Sequence, residues 1–286
     1  MHKYQCLDRY VEDTHWRESL NRLTRAVWDI TVLHGGEVDY VPFSMAYKNE
    51  IVANVCAGQF DLVINGELIS ASMIQTVLTD ESHRKRGLIR QLFDPVQSHI
   101  AQTTGRTFFT AHKDKIEFYR KFGYQTHPLV DHFTWPIPSA RQAQQLLVKV
   151  DYQDESQRPL FQAAASRRTA VSNQLGFVQR NWLLFWFCRY FLNNDIYYAA
   201  DLNAFLIYRV KGDVLELVDI VAEKIPSWAE LEPYFDCQVL TTVKCFFTPD
   251  RLAVEGTAVM DEQCYFFTDG RMPLPELICL PETQRG

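Results

Sequence analysis

The sequence has no C-x-x-C pair: its seven cysteines, Cys6, Cys56, Cys188, Cys237, Cys245, Cys264 and Cys279, are odd in number and widely scattered. That pattern excludes a disulfide framework and a cysteine-based zinc site, so they read as reduced thiols and no metal is expected. No uncharged apolar run approaches the ~20 residues needed to cross a bilayer. Residues 1–5, Met-His-Lys-Tyr-Gln, lack the apolar core of a secretory signal. A cytoplasmic setting without a membrane partner is expected. Basic residues are not in excess: 29 Lys and Arg stand against 35 Asp and Glu, a net charge of −6. A chain of that sign repels polyphosphates, so no nucleic-acid partner is expected and any bound anion must be held locally. Neither G-x-x-x-x-G-K-[ST] nor G-x-G-x-x-G occurs, which disfavours P-loop and Rossmann nucleotide sites, and there is no G-x-S-x-G elbow. Low-complexity tracts and short-period repeats are also missing.

What is present suits a globular α/β chain. Apolar residues make up 47 % and charged residues 22 % of 286, enough for a sizeable core, and the length favours two units. Trp16, Leu20, Leu23, Val27 and Ile30 share one helical face, predicting a helix over 14–30. Short β-prone runs at 51–56, 60–64 and 68–79, with Asn65-Gly66 between the last two, predict an antiparallel meander closed by a tight hairpin. A basic loop at 80–86 leads through Gly87 into a helix carrying Leu88, Leu92, Phe93, Val96 and Ile100, with Pro95 where a kink is expected. A strand at 106–111, a short helix at 115–122 stopped by Gly123, and a strand at 124–135 follow.

The division expected from this texture is 1–136, a connecting helix and linker at 137–159 with the helix reaching about residue 150, and a second unit at 160–286. The second unit holds an aromatic-rich segment at 177–192, read as a buried core helix or a partner interface. Strands at 196–200, 205–210 and 214–222 come next, the last two joined by Lys211-Gly212-Asp213, then a helix at 227–235 and strands at 239–247 and 263–267. It repeats the order of the first unit, with residues 223–227 standing where the first has its basic loop. The fold class is α/β (α+β), with a mixed, mainly antiparallel sheet.

The chemistry is concentrated at residues 76–90, a strand end, a basic loop and a helix start. Amides at a helix N-terminus converge and carry the positive end of the macrodipole, which makes an anion site. Arg84, Lys85, Arg86 and Arg90 place four cations within seven residues around Gly87, where a glycine lets an anion approach the backbone. Some thirty residues on, Phe118-Tyr119 and Phe122-Gly123-Tyr124 complete a long ordered pattern.

That pattern resembles the GCN5-related N-acetyltransferases, and residues 83–90, His-Arg-Lys-Arg-Gly-Leu-Ile-Arg, followed by a second degenerate unit, are similar to the tandem-domain branch that includes the enhanced-intracellular-survival type. The specific motifs cover residues 69–124. The resemblance implies an acetyltransferase fold in the first unit and a second acetyltransferase-like domain without the cofactor loop. It implies acetyl-CoA as cofactor, with coenzyme A as product. The backbone of Val77, Leu78 and Thr79 would pair with the pantetheine arm, and Arg84, Lys85, Arg86, Gly87, Leu88, Ile89 and Arg90 would cradle the pyrophosphate. His112 and Lys113 would line the far side. Tyr119 falls on the family's general-acid tyrosine. One departure is Ile89, where many members have Gly or Ala.

Acyl transfer from a thioester builds negative charge on the carbonyl oxygen, so a fixed amide is the largest electrostatic help, and Leu78 is the candidate donor. The leaving thiolate needs a proton, which assigns Tyr119. The expected reaction is N-acetylation of a small amine, with the net charge a mild bias toward a cationic acceptor such as a polyamine or aminoglycoside, and the alternative is a catalytically lapsed acyl-CoA-binding regulator or scaffold. A transferase using charged tRNA would need a broad basic groove, which the acidic balance argues against. A homo-oligomer is left open. No general base is legible: Glu37, Asp39 and Glu50 precede the meander and read as surface acids. His127 and His132 read as surface or edge-strand histidines.

Overall fold

The computed structural model describes residues 3–34, 39–138 and 141–285. Along the first half the chain forms β1 (Gln5–Asp8), α1 (Thr14–Trp28), β2 (Tyr40–Tyr47), β3 (Glu50–Ile64), β4 (Glu67–Thr79), α2 (Leu88–Gln102), β5 (Thr107–His112), α3 (Ile116–Arg120) and β6 (Gln125–Pro136). The second half adds β7 (Val148–Lys149), α4 (Arg158–Ser166), β8 (Leu175–Gln179), α5 (Trp182–Tyr190), β9 (Ile196–Ala199), β10 (Ala204–Lys211), β11 (Val214–Val221), α6 (Trp228–Leu231), β12 (Thr242–Cys245) and β13 (Thr257–Thr268).

All the strands belong to one sheet, ordered β1-β2-β3-β4-β5-β13-β6-β12-β11-β10-β9-β7, with β8 added to the end of β3. The β3–β4 hairpin turns at Asn65 and Gly66, both at positive φ, 51° and 82°, as a two-residue turn between twisted strands requires. The two halves mirror one another: each has a hairpin whose second strand runs parallel to the next, β4 with β5 and β11 with β12. They then exchange partners. β13, from the end of the chain, pairs antiparallel with β5, while β6, from the first half, pairs antiparallel with β12, and β13 and β6 lie side by side. The two halves of the chain therefore join in one sheet, each holding a strand of the other. Aromatic rings fix the exchange: Phe109 stacks on Phe267, directly opposite across β5 and β13, with ring centroids 4.9 Å apart and planes 4° from parallel.

One face of the first half is covered by α2, whose Leu92, Phe93, Val96 and Ile100 bury against Phe43, Val55, Phe108 and Phe266. The helix runs through Pro95 without a break. The other face takes α1, which starts at Asp13, whose carboxylate accepts the amides of His15 and Trp16, and packs Leu20 and Leu23 on Tyr40, Ile51 and Leu78.

Several expectations are corrected. The runs 51–56 and 60–64 are one strand, because Gly58 continues it. A Cβ there would sit 2.5 Å from Trp182 Cζ2, so glycine marks a close approach of α5 and not a break. The connecting helix to residue 150 is not formed: residues 141–147 are irregular, since Leu146, Leu147 and Val148 are contiguous and give no helical stripe, and Leu146 lies exposed. The helix in this region is α4 instead, with Pro159 in its first turn. β1 and β2 were not foreseen. His127 and His132 lie on β6, an interior strand, bonded to Thr268 and Asp131. None of the described helices is long and apolar enough to cross a membrane.

Arg168 and Asp219 form a buried bidentate pair at 2.7 and 3.1 Å, and Thr283 donates to the same carboxylate at 2.6 Å, tying the C-terminal segment to β11. Removing one partner leaves an uncompensated buried charge. Asp219→Ala is expected to lower unfolding free energy by about 3–5 kcal/mol, read as a reduced urea midpoint at unchanged slope.

Candidate functional site

The site begins with an irregularity in β4. Between the pairs Cys56↔Gln75 and Asn54↔Leu78, β4 advances one residue more than β3, and Thr76 takes φ = 50°. A threonine in the left-handed region is strained and persists only when its surroundings hold it. Here they do. Asn54 Nδ2 donates to the Thr76 carbonyl at 2.9 Å, Asn54 Oδ1 accepts from Ser44 Oγ at 2.7 Å, and Ser44 Oγ is 2.6 Å from the Tyr10 hydroxyl. The Tyr40 hydroxyl bonds Thr76 Oγ1. Asn54, Ser44 and Cys56 are buried, and burial pushes the Cys56 thiol up to about 12, so it remains a neutral filler in this network.

The bulge turns β4 away from β5. The two strands pair only at Ser72↔Thr107 and Met73↔Phe108, leaving a slot between their C-terminal ends. Which amides face it follows from alternation in the antiparallel ladder. Asp80 N–H donates to the Val52 carbonyl at 2.8 Å, and the Thr79 carbonyl accepts from Arg84 Nε at 3.3 Å. Thr79 therefore presents its peptide to the slot and Leu78 turns its own toward β3, with its side chain in the α1 core. The expectation of Leu78 as the oxyanion donor is corrected accordingly.

Past the slot the chain makes a tight turn over Glu81–His83, capped by Asp80, whose carboxylate accepts from both the amide and the hydroxyl of Ser82; those bonds hold it below the usual carboxylate range. Lys85 and Gly87 then adopt φ of 62° and 72°, and α2 begins at Leu88 with no side chain capping it. The first-turn amides are thus left open to a ligand. Arg84 and Arg86 shape the loop: Arg84 lies 3.7 Å from Glu81, and Arg86 donates to Ser82 O and to the Tyr4 hydroxyl, both at 3.1 Å. Lys85 and Arg90 are exposed and form no ion pair among the described residues. Leu88 is buried and Ile89 packs on the same core, so only their amides are offered. Tyr4, which also bonds His83 at 2.8 Å, had no signal in the sequence.

The remaining expected residues are more dispersed. His112 and Lys113 stand at the end of β5, but their side chains reach β13: His112 Nε2 is 3.2 Å from Gln263 Oε1 and Lys113 Nζ donates to the Glu262 carbonyl at 3.2 Å. Tyr119 on α3 is buried between Phe109 and Phe267, with centroids at 4.6 and 5.3 Å, and burial, helped by Tyr124, raises its hydroxyl well above the usual tyrosine range. Asp39 is paired with Arg180, and Glu50 with Arg22 and Ser19, so both are structural; Glu37 lies outside the described residues.

On the α1 face a cavity of about 550 Å³ abuts the bulge. Gln75 and Thr76 line it, with Trp28 to His34 beyond the end of α1 on one side and Trp182 to Phe191 of α5 on the other. The aromatic segment read as a core helix or an interface is thus a cavity wall.

A family model described as an acetyltransferase (GNAT) domain matches residues 40–127. In fold the chain is similar to a probable N-acyltransferase from Enterococcus faecalis (TM-score 0.58, 13% identity, covering 93% of this chain and 72% of that one). It is likewise similar to Eis1 from Mycobacterium abscessus (0.57, 14%, 93% and 73%) and to a GCN5-related N-acetyltransferase from Kribbella flavida (0.55, 14%, 93% and 71%). No curated protein matches it in sequence. The likeness covers 93% of this chain and so runs through both halves.

Asn54→Leu would leave the Thr76 carbonyl without a partner and the Ser44 hydroxyl with Tyr10 alone. The expected loss is roughly 1–3 kcal/mol of unfolding free energy, measured by urea titration; Ser70→Ala, at an exposed position of the adjoining strand β4, should change little.

Proposed function

From the premise that the chain carries a domain of the GCN5-related N-acetyltransferase family at residues 40–127 within a tandem fold, we propose that it transfers an acetyl group from acetyl-CoA to the amine of a small acceptor. The observation that carries this reading is a convergence within residues 75–90. The slot beside the bulge, the uncapped start of α2 and the mouth of the cavity follow one another along sixteen residues. The residues present fit the cofactor. A Cβ at Gly87 would meet nothing within 4 Å, so the space over the amides is open, and the unpaired Lys85 and Arg90 flank it.

Bound there, acetyl-CoA would supply an activated thioester. The amides of residues 85–90 and the cations of Lys85 and Arg90 would hold its diphosphate. The slot-facing backbone of Val77 and Thr79 would pair with the pantetheine arm as an added strand pairs with a sheet edge. The amides at the bulge are fixed by Asn54 before any ligand arrives, so donating to a carbonyl oxygen there costs no reorganisation. Tyr119, kept protonated by its burial, is the proton donor toward the departing sulfur. Apart from Gln75 and Thr76 the cavity wall comes from other elements, the segment after α1 and the segment of α5 among them.

A second reading, a lapsed acyl-CoA-binding protein, draws on the packing of Tyr119 among Phe93, Phe109 and Phe267, which a tyrosine kept only for its ring would share. Tyr119→Phe separates the two. It preserves that packing, so melting temperature should hold, while kcat falls by roughly 10²- to 10⁴-fold; an unchanged kcat would remove Tyr119 from the chemistry. The sign of the pH dependence follows from the raised hydroxyl: the protonated, donating form persists as pH rises, so wild-type kcat should show no alkaline fall below about pH 10.

Acetyl-CoA at a hundredfold excess over Kd should stabilise the protein by about 2.7 kcal/mol, seen as a rise in melting temperature. Gly87→Glu should abolish the rise, and Arg90→Glu, at an exposed position with ordinary backbone, should weaken it without altering the unliganded melt. Full stabilisation in both variants would place the diphosphate elsewhere.

A further inference from the structure

The cavity beside the bulge governs which amines reach the slot, and its walls are unlike those expected for a polycation. Trp28, Tyr40, Trp182, Phe185, Trp186 and Phe187 give it a predominantly aromatic surface. Among the described residues no aspartate or glutamate lines it, and its charged side chains are Arg189 and Arg285. Arg285 is balanced by Asp131 and Asp261, each at 3.7 Å, whereas Arg189 has no carboxylate partner among the described residues. Among the described lining residues the local sign is therefore positive, whatever the net charge of the chain. One polar group stands out. Gln75 is 8% exposed, immediately precedes the bulge residue Thr76, and its Oε1 is buried with no hydrogen-bond partner among the described residues. A buried acceptor without a donor is uncommon and points to a donor supplied from outside the chain.

We infer that the acceptor is a primary amine carried on an aromatic body, its ring seated against the Trp182 and Trp186 wall and one N–H donated to Gln75 Oε1. The inference rests on the acetyltransferase reading and adds the substrate class. A cavity of this size holds a body of one or two fused rings with a short arm. A polyamine or aminoglycoside would bring several ammonium groups against two guanidinium groups with no carboxylate among the described lining residues to meet them, which costs desolvation without return. The same surroundings favour the neutral form of a single bound amine, since burial and nearby cations both disfavour an ammonium. The nitrogen then carries a free lone pair without a carboxylate base among the described residues of the wall. That pair forms the C–N bond to the acetyl carbon as the C–S bond breaks. The electrons of the broken bond leave with sulfur, which takes up one proton while the nitrogen sheds one, giving the N-acetyl amine and coenzyme A.

The test measures free-thiol release at saturating acetyl-CoA with tryptamine and 2-phenylethylamine on one side and spermidine and kanamycin on the other, with acetyl-CoA binding followed separately by calorimetry. The aromatic amines should give the higher kcat/KM, by at least about tenfold. Gln75→Leu should raise KM for tryptamine roughly tenfold and leave the acetyl-CoA Kd where it was. A preference for spermidine or kanamycin, or no turnover and no calorimetric binding of tryptamine by a protein that binds acetyl-CoA, overturns the substrate class and leaves the acetyltransferase reading standing. Failure to bind acetyl-CoA at all removes that reading, and the inference with it.

Discussion

A single side-chain amide, that of Asn54, holds the geometry on which the site depends. It bonds the carbonyl of a threonine in a left-handed conformation, inside a strand where ordinary pairing would keep that residue extended. Without such a clamp the strain of order 1–3 kcal/mol would relax by sliding β4 back into register. β4 and β5 could then stay paired beyond Met73 and Phe108, and the slot would close. The clamp is itself braced by Ser44, Tyr10 and Tyr40, all on the face that α1 covers. A buried polar network with partners for its members specifies one arrangement, and here it specifies the splay. The helix core thus sets the position of groups on the opposite edge of the strand.

The exchange of strands between halves has a comparable effect at larger scale. β5 is the far wall of the slot, and its outer neighbour is β13, some 145 residues later in the chain. The second half lacks a basic loop yet supports the first by holding that wall, through Phe109 on Phe267 and through His112 and Lys113 bonded to Gln263 and Glu262. It also contributes α5, the aromatic side of the cavity. The second half is therefore structural to the candidate site.

Much of this was legible in the sequence where local rules decide. The Asn65-Gly66 hairpin, the glycine that opens α2, the basic loop and the hairpin at Gly212 each need a specific residue type at a specific backbone conformation, and the sequence advertises those residues. The bulge was not legible, because nothing in Gln75-Thr76-Val77 distinguishes a strained threonine from a β-branched residue in a regular strand; its cause is Asn54, twenty-two residues away. That is also why Leu78 was read as the donor: the bulge changes which amides face out. The strand exchange and the role of Tyr4 rest on contacts between distant segments, for which periodicity carries no signal. The cavity was not legible either, since −6 summed over the chain says nothing of a wall whose charged residues, among those described, are arginines.

Electrostatics at the proposed cofactor site remain local. Arg84 and Arg86 are committed to the loop's own shape, so the amides of residues 85–90, Lys85 and Arg90 carry the attraction for an anion. Hydrogen–deuterium exchange on adding coenzyme A reads those amides directly. The account predicts slowed exchange at residues 85–90 and at Thr79, with Leu78, already bonded toward β3, little altered. Binding that left those amides exchanging at their free rates while protecting some other surface would contradict it.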